Sequence, residues 1–128
     1  MPKSVLVVGI VPELIDFSHP DFAPMNMSAE KVWAGLRADD ERLNGMGFQA
    51  EFFGVDLGET AEAALTSKLQ TRPWDCVVIG AGVRVPPSNF LLFEKLVNVV
   101  LRNAPGARLC FNTKPSDTAE AVLRWISN

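Results

Sequence analysis

The sequence predicts an α/β fold of three layers, in which a short parallel sheet of four strands lies between helices. Short β-branched apolar runs alternate with segments of helical periodicity along the chain, and most of the connections between them are short. This alternation is typical of a parallel sheet with helices on both faces. Because crossovers between parallel strands are right-handed, few topologies remain, and the simplest has the strand order 2-1-3-4.

The first predicted strand is an apolar run of the kind that parallel sheets bury on both faces. Residues 5–10 read Val-Leu-Val-Val-Gly-Ile, a continuous run with no polar alternation, so a half-exposed edge is not expected there. The other strands are predicted at residues 48–55, 75–79 and 107–111.

Each predicted helix follows a residue suited to accept hydrogen bonds from the free amides of a first turn. The predicted N-cap residues are Ser28, Glu59 or Thr60, Ser88 and Ser116. Glycine or proline ends the first three helices, which we expect to stop near residues 44, 70 and 104. In the last helix, Ala119, Val122, Leu123 and Ile126 are predicted to face inward.

Length and composition indicate one α/β domain over residues 1–128. The chain is 48% apolar and 21% charged, and its net charge of −3 argues against nucleic acid or an anionic membrane as the main partner. Cys76 and Cys110 both fall in predicted strands, without the spacing of a metal or redox motif. We therefore expect two buried thiols in a reducing compartment, and a cytoplasmic protein.

Two unusual loops follow predicted strands and are candidates for a functional site. Residues 11–27 contain three prolines and the only histidine, and residues 80–87 join a glycine turn to two prolines. Ligands of parallel sheets bind beyond the carboxyl ends of the strands, where the winding reverses. With the order 2-1-3-4 this point lies between strands 1 and 3, so both loops are expected to open on one crevice.

The turn after strand 3 is a candidate site for a carboxylate or phosphate. Gly80 and Gly82 let main-chain amides approach a ligand closely, and Arg84 and the helix start at Ser88 add positive potential. A tight turn whose arginine pairs with a nearby aspartate explains the same residues equally well. Polar residues at two further strand ends, namely Asp56, Asn112 and Thr113, are also predicted to contact a ligand.

His19 is the predicted acid–base residue, because it is the only side chain in this sequence whose ordinary pKa lies near neutrality. Asp16 and Asp21 flank it and are predicted to orient its ring. The alternative is a histidine that faces solvent in a His-Pro-Asp turn. These three residues match no recognised metal pattern, so no metal site is predicted.

The predicted architecture resembles flavodoxin-like and Rossmann-like sheets, but no cofactor can be assigned from motifs. The dinucleotide fingerprint fails because Val85 stands at the third glycine position and prolines follow. The architecture also resembles that of response-regulator receivers, which carry an aspartate where this chain has Gly80. The cofactor is therefore unknown.

The helix predicted after Ser88 has more apolar surface than one sheet can cover. Its apolar residues span an arc of roughly 200°, whereas a helix packed on one side needs little more than 100°. The surplus predicts a homodimer through this helix, unless the first helix and residues 11–27 cover it.

Two functions follow as hypotheses. The first is the binding of a small anionic or polar metabolite between residues 11–27 and 80–87, with acid–base catalysis by His19. The alternative is a non-catalytic interaction or dimerisation module that uses the apolar helix.

Overall fold

The computed structural model describes residues 2–20 and 26–127. Its four strands form one all-parallel sheet in the order β2-β1-β3-β4. The strands are β1 (Ser4–Ile10), β2 (Gln49–Val55), β3 (Cys76–Ile79) and β4 (Arg108–Phe111). The predicted fold class and strand order are confirmed, and the order coincides with the first four strands of a flavodoxin-like sheet.

Helices cover both faces of the sheet. They are α1 (Ala29–Gly45), α2 (Ala61–Leu69), α3 (Ala81–Arg84), α4 (Phe90–Asn103) and α5 (Thr118–Leu123). The helices α1 and α5 pack on one face, and α2, α3 and α4 pack on the other. Single 3₁₀ turns at Pro12–Leu14, Pro87–Asn89 and Pro115–Asp117 lead into or out of the loops.

The two central strands supply the core of both layers. Leu6 and Val8 of β1 face α2 and α4, whereas Val5 and Val7 face α1 and α5. All four side chains are buried. Because β1 and β3 are paired on both edges and covered on both faces, residues 5–10 and 76–79 are apolar at every position and not only at alternate ones.

The helix starts agree with the sequence at α1 and differ at α4 and α5. The Ser28 hydroxyl accepts a hydrogen bond from the Lys31 amide at 3.2 Å, as predicted for an N-cap. In contrast, α4 begins at Phe90 and α5 at Thr118. A proline-initiated 3₁₀ turn precedes each of these helices and moves its start beyond Ser88 or Ser116, so those two serines are not the N-caps.

The cover of α4 also differs from the sequence expectation. The helix α2 packs against its buried face, which includes Leu96, Val99 and Val100, whereas α1 lies on the opposite face of the sheet. Phe90, Leu91 and Leu101 remain 59%, 73% and 57% exposed. In α5, Leu123 is exposed where an inward position was predicted, because the helix ends at that residue.

Within the described ranges, the helices are too short or too polar for any of them to cross a bilayer.

Candidate functional site

A cavity of about 340 Å³ opens at the carboxyl edge of the sheet, where the winding reverses between β1 and β3. Its walls come from the end of β1, the first loop, α1, β2, the segment after β3 and the end of β4. The lining residues are Val7, Val8, Gly9, Ile10, Ile15, Phe17, Met27, Val32, Leu36, Asp39, Phe52, Gly80, Ala81, Gly82, Val83, Val85, Pro86, Asn112, Thr113 and Lys114. The walls are therefore mostly apolar, with a few polar groups contributed by α1 and by the segment after β4.

The two loops face one another across this cavity, as the strand order predicted. Ile15, Phe17 and Met27 come from the first loop, and residues 80–83 with Val85 and Pro86 come from the second. The gap between the loops is open, although the aromatic rings of Phe17 and Phe52 form part of its wall.

Four of the predicted ligand-binding residues line the cavity: Gly80, Gly82, Asn112 and Thr113. Gly82 is at its open side, since a Cβ atom added there would meet no atom of the described residues within 4 Å. The Thr113 hydroxyl and amide both donate to the carboxylate of Asp117, which holds the end of β4 in place. These residues shape the edge of the cavity with main-chain and hydroxyl groups.

Asn112 joins the second loop to the helices behind the cavity. Its Oδ1 accepts from the Ala81 amide at 2.7 Å, and its Nδ2 donates to the Thr118 hydroxyl at 2.8 Å. The Thr118 hydroxyl in turn donates to Oδ2 of Asp39 at 2.7 Å. Each donation points toward Asp39, so the hydrogen-bonded chain ends at a carboxylate on the cavity wall.

Asp39 is the functional candidate that the sequence reading missed. Only 6% of the residue is exposed, and burial raises the pKa of its carboxyl to about 6 despite the hydrogen bond from Thr118. A signal was present: Asp39 continues the apolar stripe of α1, which reads Val32, Leu36, Asp39 and Leu43. A carboxylate at an inward position of a helix indicates either a buried polar network or a site.

Arg84 lies behind the cavity wall and does not line it. Its Nη2 donates to the main-chain oxygen of Asn112 at 2.9 Å, and its Nε has no hydrogen-bond partner among the residues described. Arg84 thus ties α3 to the end of β4, and no aspartate in residues 2–20 or 26–127 forms an ion pair with it. Ser88 is exposed on the 3₁₀ turn that follows, also outside the cavity lining.

Asp56 is occupied by the turn between β2 and α2. Its carboxylate accepts from the Gly58 amide at 3.0 Å, from the Thr60 amide at 2.9 Å and from the Thr60 hydroxyl at 2.6 Å. The hydrogen bond from the Thr60 side chain is the main cause that lowers the pKa of Asp56. This geometry matches the turn role that aspartate commonly has and puts Asp56 outside the cavity lining.

His19 and Asp16 share an exposed turn outside the cavity lining. The His19 amide donates to the Asp16 carbonyl at 3.1 Å, and Oδ1 of Asp16 accepts from the amide and the hydroxyl of Ser18 at 3.0 and 2.6 Å. Asp21, the third predicted catalytic residue, is outside the described residues. The acid–base role of His19 therefore stays a prediction. A search of the described residues finds no group of three His, Cys, Asp or Glu side chains that could hold a metal ion.

No protein-family model, curated protein sequence or solved structure matches the chain.

Proposed function

We propose that the protein binds a small polar or anionic metabolite with an apolar body, in the cavity between residues 11–27 and 80–87. The observation that carries the proposal is the cavity itself, which lies at the winding reversal of a parallel sheet. A volume of about 340 Å³ falls at the lower end of the range found for small-molecule sites. Apolar walls with a few polar groups are also typical of such sites.

Acid–base chemistry in this cavity is better supported for Asp39 than for His19. Asp39 lines the cavity and has a raised pKa, whereas His19 is exposed in a turn. General acids and bases work best when their pKa lies near the working pH. The proposal therefore assigns any proton transfer to Asp39 first.

A reducing compartment, the cytoplasm, is proposed as the place of action. Cys76 and Cys110 support it, because their sulfur atoms lie 3.3 Å apart on neighbouring strands and both are free thiols. Oxidising compartments favour disulfides where two thiols can meet.

The binding proposal is tested with a screen of metabolites for ligand-induced rises in the melting temperature. Any ligand found is then titrated against two glycine variants, Gly82→Leu and Gly106→Leu. A Cβ atom at either position would meet no atom within 4 Å, but only Gly82 lines the cavity. We expect Gly82→Leu to weaken binding at least about tenfold by filling the open side, and Gly106→Leu to bind as the wild type does. A screen without any binder, or equal effects of the two substitutions, would contradict the proposal.

A second candidate function is self-association of two copies through α4. It is favoured by the exposure of Phe90 and Leu91 at the start of the helix and of Leu101 at its end. An antiparallel pair of α4 helices, related by a two-fold axis, puts each apolar end against the opposite end of the partner.

Sedimentation equilibrium with two leucine variants tests this candidate. Leu101→Glu changes the proposed interface, and Leu123→Glu changes an exposed leucine of α5 on the opposite face of the sheet. We expect a wild-type dimer that Leu101→Glu weakens at least about tenfold and that Leu123→Glu leaves unchanged, because burying an unpaired charge is costly. A wild-type monomer at all accessible concentrations would exclude the dimer.

A further inference from the structure

We infer that Asp39 is the anchoring group of the cavity, and that the ligand is a small molecule whose apolar body ends in a hydrogen-bond donor, with an ammonium preferred. This inference rests on the proposed function and names the ligand class for the same cavity. Arg84 led us to expect an anionic ligand, but its guanidinium donates to the main-chain oxygen of Asn112 inside the protein. The preferred ligand is now a cation.

The carboxylate of Asp39 has one oxygen held by the protein and one available. Oδ2 accepts from the Thr118 hydroxyl, and Oδ1 makes no hydrogen bond within the part of the chain that the structure describes. The side chain is nine-tenths buried and lines the cavity. A carboxylate on a mostly apolar wall gains from a donor, since desolvation without one costs free energy.

The chain of hydrogen bonds gives Asp39 a defined orientation. The Ala81 amide donates to Asn112, Asn112 donates to the Thr118 hydroxyl, and this hydroxyl donates to Asp39. Asp39 stands at the end of the chain, so its ionised carboxylate can only accept a further hydrogen bond. Asn112 Oδ1 and Nδ2 are both already used within this chain, which makes Asn112 a positioning residue. Among the lining residues of the inner wall, Asp39 is then the group suited to receive a donor from a ligand.

The charges around Asp39 favour a cation over an anion. Asp40 and Asp117 are close enough to raise its pKa, so the local potential is negative. Arg42 acts in the opposite direction, but its guanidinium forms an ion pair with Glu120 at 2.6 Å. Lys114 also lines the cavity, at an exposed position after β4. An anionic ligand therefore has to be held by Lys114 while it faces the carboxylate of Asp39.

Four probes with the same apolar body test the assignment: benzylamine, benzyl alcohol, toluene and benzoate. Each is titrated into ¹⁵N-labelled protein at pH 7.5, and amide shifts of Gly82 and Asn112 report binding. We expect benzylamine to bind at least about tenfold tighter than toluene or benzoate, with benzyl alcohol between them. Lowering the pH to 5 protonates Asp39 and should weaken benzylamine binding about tenfold, while toluene binding stays constant.

Asp39→Asn is the matching variant, and Glu41→Gln is its control. Glu41 is an exposed acid of the same helix and does not line the cavity. We expect Asp39→Asn to abolish both the preference for benzylamine and its pH dependence, and Glu41→Gln to keep them. The pH titration of the wild type provides the same test without a variant.

The possible failures separate the inference from the proposed function. Equal binding of benzylamine and toluene, a preference for benzoate, or an Asp39→Asn variant that keeps the preference overturns the role of Asp39 and leaves a ligand cavity. Binding by none of the four probes also overturns this role. Only an empty metabolite screen overturns the proposed function as well.

Discussion

Among the acidic side chains at the carboxyl edge of the sheet, Asp39 is the most deeply buried. It sits at an inward position of α1, and the hydroxyl of Thr118 gives it a single hydrogen bond. The raised pKa means that the folded protein disfavours the ionised form. Proteins keep such groups at the expense of stability where they serve a function.

The first prediction concerns stability as a function of pH. The folded pKa of Asp39 is about 6, above the usual value, so the folded state binds a proton that the unfolded state has already lost. The free energy of unfolding is unaffected by Asp39 below about pH 4, falls as the pH rises to about 6, and is constant above that. The total loss is on the order of 2 to 3 kcal/mol.

Asp39→Asn removes this loss because the amide stays neutral and can still accept from Thr118. Urea denaturation of both proteins between pH 4 and 7.5 measures it, and the difference between the two curves isolates Asp39 from other acids. We expect the variant to gain relative stability from pH 4 to pH 6. A difference that does not change with pH would show that Asp39 is solvated in the folded state.

The second prediction concerns the two thiols. Cys76 and Cys110 are 0% and 1% exposed, and the hydrogen bond that they share, together with burial, raises the pKa of the Cys76 thiol. Because buried thiols are out of reach of a reagent, neither should react with an alkylating reagent in the folded protein. We expect both to be labelled together, at a rate that follows global unfolding in urea. Rapid labelling of one cysteine in the native protein would contradict this.

The helix α1 shows how one local signal positions an element of the site. It carries Val32, Leu36 and Asp39 to the cavity, and its start depends on the Ser28 cap. Trp33 of the same helix donates to Glu13 at 2.6 Å and so holds the first 3₁₀ turn against α1. The cap and this contact together set how α1 meets the first loop.

The third prediction is that Ser28→Ala lowers the free energy of unfolding by about 1 kcal/mol, because the Lys31 amide loses its partner. Ser67→Ala is the control, since Ser67 lies exposed in the interior of α2, where alanine is the better helix former. Urea denaturation at neutral pH compares the two variants with the wild type. Equal stabilities of both variants would contradict the capping role.

At the scale of the whole molecule, the sheet order decides which segments meet. With the order β2-β1-β3-β4, the chain winds in opposite directions from β1 and β3, and the loops that follow these strands diverge to leave a cavity between them. The same order makes β1 and β3 central and leaves β2 and β4 at the edges. The strand order thus determines both the position of the cavity and which strands are central and therefore best protected.

The fourth prediction is the order of hydrogen exchange. Amides of β1 and β3 are paired within the sheet and covered on both faces, so they should exchange only through global unfolding. Amides of β2 and β4 that point away from the sheet should exchange faster. Native-state exchange followed by NMR measures both sets, and equal protection of outward amides in β4 and amides in β1 would argue against this strand order.

The fold could be predicted well because its signals are local. The β-branched runs of β1 and β3, the Ser28 cap and the short crossovers each depend on a few neighbouring residues, and right-handed crossovers then select the strand order. The starts of α4 and α5 were wrong by one or two residues because Pro87 and Pro115 each open a 3₁₀ turn, which propensity does not distinguish from a first helical turn.

The sequence by itself determined the layers of this protein, the strand order and the two loops that border the cavity. Only the tertiary structure decided which polar residues line the cavity: Asp39 and Asn112 do, whereas Arg84, Asp56 and His19 do not. The physical reason is that periodicity follows from the backbone of each element, but the direction of a polar side chain depends on hydrogen bonds between distant segments. The bond from Thr118 to Asp39 spans 79 residues, and no local pattern encodes it.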